Sequence, residues 1–204
     1  MPPDFAALAL DTSGTDARAP GEKPAAWRDR LTTMAFDDDG EGRPFLLLDA
    51  AADPAISVYL DAFPEPARCL FDGAVADDLA EVGPWLAEPT RHGDLWDWFL
   101  AEGWGRNWGV IARSTLPAPR LKQHLKKFLR VERENGERNY FKFYRPQHLA
   151  AYLPGFDGIQ TAQFMRGIDA WIVEADGGRA VRRLALDDHG ALWQGTDRLD
   201  EMRS

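Results

Sequence analysis

Gly103-Trp104-Gly105-Arg106-Asn107-Trp108-Gly109 is the stretch on which the reading of the fold turns. Its three glycines supply turns or close backbone approach, and its two tryptophans supply large, shaped apolar area. Residues 94–100 before it (Asp-Leu-Trp-Asp-Trp-Phe-Leu) predict a helix, with Asp94 capping the first turn and Gly103 ending it in a left-handed conformation. Val110-Ile111-Ala112 after it is short, apolar and partly β-branched, and predicts a buried strand. The segment is therefore a helix–turn–strand corner with aromatic walls. Two roles fit it: a core corner, because tryptophan is highly buried on average, or a groove lined by Trp104, Trp108 and Arg106 that receives a partner.

Outward from this corner, the chain reads as an α/β domain, a mixed sheet with packed helices. Phe45-Leu46-Leu47-Leu48-Asp49 is a continuous apolar run of the kind that fills a central strand. Asp53-Pro54 opens a helix with Ile56, Tyr59, Leu60 and Phe63 at helical spacing. Arg68-Cys69-Leu70-Phe71 is a second strand, closed by Asp72-Gly73. Strand, helix and strand within thirty residues predict a βαβ unit with a parallel pair. A short helix over residues 77–82 and Trp85-Leu86 separate this unit from the corner.

Beyond the corner, residues 120–129 predict an amphipathic helix with Leu121, Leu125, Phe128 and Leu129 on one face. Arg120, Lys122, Lys126 and Lys127 lie mostly on the other. Residues 129–144 predict a hairpin around Asn135-Gly136. A three-residue loop would set Val131 against Asn139 and keep Phe141 and Phe143 on the apolar face, and is preferred to a two-residue loop on that ground. Arg145-Pro146 starts a helix through His148, Leu149, Tyr152 and Leu153. Residues 1–24 are expected to form a mobile tail, residues 25–155 the main domain, and residues 156–204 a small β-rich C-terminal extension. That extension holds a hairpin about Asp176-Gly177-Gly178, and its last stretch, from residue 187, is expected to fray.

Composition narrows the function. The 204 residues carry a formal net charge of -9, which argues against nucleic acid as the main ligand of the whole chain. Yet residues 120–145 hold nine Lys/Arg against three Glu, a basic face suited to an acidic partner. One cysteine, Cys69, permits no internal disulfide and fits a reducing compartment. No apolar run has the length of a membrane span, and the N-terminus lacks the basic-then-apolar pattern of a secretory signal, so a cytoplasmic protein without membrane contact is expected. The aspartates at 37–39 lack calcium-loop spacing, and His92, His124, His148 and His189 share no metal spacing. Neither a phosphate loop, a dinucleotide fingerprint nor a nucleophile elbow is present. No enzyme activity, metal or cofactor is expected.

The ordered motifs resemble one family. They run Phe45-Leu46-Leu47-Leu48-Asp49-Ala50, then Arg68-Cys69-Leu70-Phe71-Asp72-Gly73, then Leu79 to Leu86 (Leu-Ala-Glu-Val-Gly-Pro-Trp-Leu), then Glu102 with the corner itself. Leu125-Lys126-Lys127-Phe128-Leu129-Arg130-Val131 follows. Phe141-Lys142-Phe143-Tyr144-Arg145-Pro146-Gln147-His148-Leu149 and Tyr152-Leu153-Pro154 complete the set. Over residues 44–155 this succession is similar to the domain of unknown function 4123, the adaptor-chaperone family of bacterial type VI secretion. The resemblance implies a cytoplasmic, non-enzymatic adaptor that binds a specific toxic effector and assists its loading onto the spike protein (VgrG). Arg145 departs from the pattern, standing where family members commonly carry an acidic residue. The partner-binding residues expected on these grounds are Trp104, Arg106, Trp108, Lys122, Lys126, Lys127, Tyr144, Arg145 and His148. The alternative is a nucleic-acid-binding module using the basic helix, residues 120–130.

Overall fold

The computed structural model describes residues 25–36, 41–73, 79–132 and 138–199. The tail over 1–24, the acidic turn over 37–40 and the Asn135-Gly136 turn lie outside them, and the short helix expected over 77–82 does so in part. In chain order the elements are α1 (Ala25–Phe36), β1 (Arg43–Asp49), α2 (Ala55–Ala62), β2 (Ala67–Cys69), β3 (Pro84–Ala87) and α3 (Asp94–Trp98). There follow β4 (Gly109–Ser114), α4 (Ala118–Lys126), β5 (Arg130–Glu132), β6 (Arg138–Tyr140), α5 (Pro146–Tyr152), α6 (Gly158–Phe164), β7 (Ile168–Ala175), β8 (Ala180–Leu186) and β9 (Leu192–Arg198).

Seven strands form one sheet in the order β2-β3-β1-β4-β7-β8-β9, and β5-β6 form a separate ribbon. The α/β class stands, with helices packed on both faces. Successive side chains of a strand point to opposite faces. Phe45 and Leu47 therefore join one core with Leu121 and Leu125 of α4, Leu149 of α5 and Phe164 of α6. Leu46 and Leu48 join the other, with Leu31 of α1, Ile56 and Leu60 of α2 and Trp96 of α3. Burial on both faces explains why the run reads as uninterrupted apolar sequence.

The expected parallel pair is not formed. β3 stands between β1 and β2, and pairs antiparallel with both, Leu47 opposite Leu86 and Arg68 opposite Leu86. Every other pair in the sheet is antiparallel as well. The error has a physical source: a continuous apolar run is usual in parallel sheets because those are covered on both faces. Here an antiparallel sheet is covered in the same way. β3, only four residues long and led by a proline, supplied too little pattern to reveal the intervening strand.

The β-rich C-terminal stretch exists, and its strands continue the central sheet. β7 pairs with β4, placing Ile172 opposite Ile111, and β8 and β9 follow as hairpin partners. The expected fraying from residue 187 is corrected by β9, which pairs along its whole length with β8, from Leu186 opposite Leu192 to Ala180 opposite Arg198. Its polar sequence reflects an edge position, not disorder. α6 was not anticipated either. Asp157 accepts from the backbone N–H of Gln160 while the Gln160 side chain accepts from the Asp157 N–H, a capping box that opens this helix. In the β5-β6 ribbon, Val131 does stand opposite Asn139.

Candidate functional site

The glycine–tryptophan corner is built differently from its reading in one respect. α3 is followed by a π-helical turn, Phe99–Gly103, closed by the Trp104 N–H donating to the Phe99 carbonyl at 2.8 Å. Gly103 is thus helical, and the helix N-cap is Gly93 with Asp94 in the first turn. The left-handed residues are Gly105 at φ 90° and Asn107 at φ 59°. A side chain at Gly105 would be strained by that φ and would press on the Gly177 carbonyl oxygen at 3.0 Å. At Gly109 the requirement is contact: a Cβ there would lie 2.1 Å from the Leu47 carbonyl oxygen of β1.

One carboxylate holds this turn. Glu174 of β7, 8 % exposed, accepts from the Gly105 N–H at 2.5 Å and from the Asn107 N–H at 2.7 Å. These donors have no strand partner, so the side chain completes the backbone hydrogen bonding of the turn. Burial raises the Glu174 pKa to about 7, against the lowering effect of the two N–H groups. The folded protein therefore binds this proton more tightly than the unfolded chain. The associated stabilisation is present below the unfolded value of 4.5 and is lost as pH rises through about 7. Urea titrations at pH 5 and pH 7.5 are expected to show wild type losing stability by about 2 kcal/mol more than Glu174→Gln over that interval. Parallel pH profiles for the two proteins would contradict the assignment.

The tryptophans of the corner are core residues. Trp104 is 7 % exposed, with its indole N–H donating to the Gly178 carbonyl at 2.9 Å, and Trp108 is 3 % exposed. Arg106 is exposed, paired with Glu102 at 3.3 Å, with its guanidinium 6.0 Å from the Trp108 ring centre. A groove walled by Trp104 and Trp108 is therefore not present. The half-buried aromatic rings that reach the surface beside the corner are Trp98 and Phe63, with the exposed Tyr59 next to them. Trp98 lies 5.1 Å from both Trp108 and Tyr59, centre to centre.

The remaining expected site residues lie with the other core. Lys122 and Lys126 both bind Asp72, Lys122 at 2.5 Å, and Lys122 also donates to the Phe71 carbonyl at 3.3 Å. These hydrogen bonds hold the Asp72 carboxyl down at about 2. Lys127 is exposed. Tyr144 is buried, edge-on to Phe143 at 5.8 Å. Arg145 donates from Nε to Asp49, whose carboxylate is fully buried at the end of β1. His148 has its pKa lowered, first by burial and then by Arg145 and Lys142. The nine residues thus divide between the two sides of the sheet and do not form one surface. Cys69 is buried, and burial pushes its thiol pKa up, which is the inert case. Among the described residues no group of three or more His, Cys, Asp or Glu is placed to hold a metal ion.

Three residues that organise the site were not recognised from sequence as having these roles. Glu174 was detectable as an acid inside the apolar strand Ala170-Trp171-Ile172-Val173, and Asp49 as an acid ending the Phe45–Leu48 run. The surface position of Trp98 left no signal of its own, because its helical pattern is the same as that of a core residue.

The succession of these elements, from β1 through the corner to α6, is what comparison with known families recovers. The model of the family described as Domain of unknown function (DUF4123) matches residues 44–163, well over half of the chain. The chain belongs to this family. DUF4123 is associated with effectors of type VI secretion. The matched region takes in β1 to β4 and both helices α4 and α5, and ends within α6. Strands β7 to β9, including Glu174, lie beyond it although they complete the same sheet. Neither the curated proteins nor the solved structures contain a match to this chain.

Proposed function

We propose that this chain is a cytoplasmic adaptor that binds a specific type VI secretion effector and helps load it onto the VgrG spike. The observation that carries the reading is DUF4123 membership across residues 44–163. The architecture is compatible with it: a two-core scaffold with aromatic and charged side chains at its surface, as recognition requires. No catalytic role is assigned to any residue in this reading. No helix among the described residues is long and apolar enough to cross a membrane.

The nucleic-acid reading of residues 120–130 draws less support from the geometry. A phosphate-binding helix face needs free cations, whereas Lys122 and Lys126 are both engaged with Asp72. The adaptor reading is tested by co-expressing the chain with candidate effectors and asking whether one co-elutes with it. Elution of the chain alone beside every candidate would remove the reading.

A further inference from the structure

Beside the corner, aromatic side chains reach the surface. Tyr59, Phe63 and Trp98 form a continuous ledge across α2 and α3, with ring centres 5.1 to 5.7 Å apart. Tyr59 is 44 % exposed. Trp98 rests on the buried Trp108, so the ledge is backed by the core.

Charge identifies what the ledge suits. Asp94 and Asp97 are exposed on α3, neither α2 nor α3 contains a lysine or arginine, and the exposed Arg106 near Trp108 is already paired with Glu102. One turn from Trp98, Asp94 lines a cleft of about 360 Å³ together with Pro64, Glu65 and Thr90. Glu65 is 93 % buried in relative terms, since its exposure is 7 %. Its Oε1 accepts from Thr90 Oγ1 at 3.3 Å and the Leu95 N–H at 3.4 Å, while Oε2 has no hydrogen-bond partner among the described residues. An acidic cleft adjoining an aromatic ledge matches a cationic side chain set beside apolar ones.

We propose that the Tyr59–Phe63–Trp98 ledge and the Glu65–Asp94 cleft together dock a segment of the effector in which a lysine or arginine flanks apolar side chains. This rests on the adaptor reading and names the chemistry of its partner. It also places docking on the face opposite the basic helix α4.

The test uses the full chain and two labelled synthetic peptides of identical apolar spacing, one flanked by lysine and arginine, the other by glutamate. Fluorescence anisotropy should show the basic peptide binding at least about tenfold more tightly. Tyr59→Ala and Asp94→Lys should each weaken it by about tenfold or more, whereas Arg166→Glu, an exposed residue beside the other core, should not. Circular dichroism verifies that each variant is folded, and because Tyr59 and Asp94 are exposed neither substitution opens a core. Equal binding of the two peptides, or unchanged binding in both folded variants, would overturn the proposal. So would a wild-type dimer, measured by light scattering, that Tyr59→Ala converts to monomer, since a second copy would then be the occupant. An effector that binds wild type and both variants equally overturns the ledge and leaves the adaptor reading intact. Failure of every effector to bind wild type overturns the adaptor reading itself.

Discussion

Replacing Trp108 by alanine is expected to cost about 3–5 kcal/mol of folding stability. The ring is 3 % exposed and packs against Trp98 at 5.1 Å, while its backbone carbonyl accepts from the Asp49 N–H at 2.8 Å. Truncation therefore removes a large apolar contact at the junction of β1, β4 and the π-helical turn. Neighbouring Gly103 cannot fill the space, and Phe99 and Trp98 are held by their own packing. For a chain of this size the loss corresponds to a fall in melting temperature of roughly 6–20 °C. Denaturant titration of Trp108→Ala measures it. A change below about 1 kcal/mol would mean that the ring contributes to a groove and not to the core.

Arg145→Ala should be the next most damaging change, at about 3 kcal/mol. Asp49 is fully buried and Arg145 is its ion-pair partner, so among the described residues removing the guanidinium leaves the buried carboxylate with the weaker 3.3 Å hydrogen bond from the Ala51 N–H. The side chain of Arg145 is 32 % exposed, which places the effect at the low end of the range for broken buried pairs. Adding Asp49→Asn should restore part of the loss, because it removes the uncompensated charge. A double-mutant cycle of the two substitutions, read by urea unfolding, checks both statements. Strict additivity would show that the pair contributes nothing to the fold.

These two residues also show what sequence could and could not reveal. The corner was legible as a turn before a buried strand because glycine, tryptophan and β-branched residues each carry a local preference that tertiary structure here obeys. Whether its tryptophans face a partner or the core was not legible, since burial depends on α2 and β8, both remote in the chain. The ion pair joins residues 49 and 145, far apart in sequence and invisible to any local pattern. The same limit applies to Lys122 and Lys126: helical spacing placed them off the apolar stripe, but only the fold brings Asp72 to them. Strand pairing failed for a related reason. Strand identity is local, whereas the insertion of β3 between β1 and β2 is a long-range choice that a four-residue segment does not announce. The Val131–Asn139 register was recoverable because one hairpin loop and one apolar face determine it.

On the adaptor reading the chain holds an effector. Co-expression with the candidate effector proteins, followed by size-exclusion chromatography with light scattering, tests it most directly. An adaptor should give one stable complex heavier than the chain alone, surviving dilution and retained by Arg166→Glu. A chain that elutes at its own mass beside every candidate would contradict it.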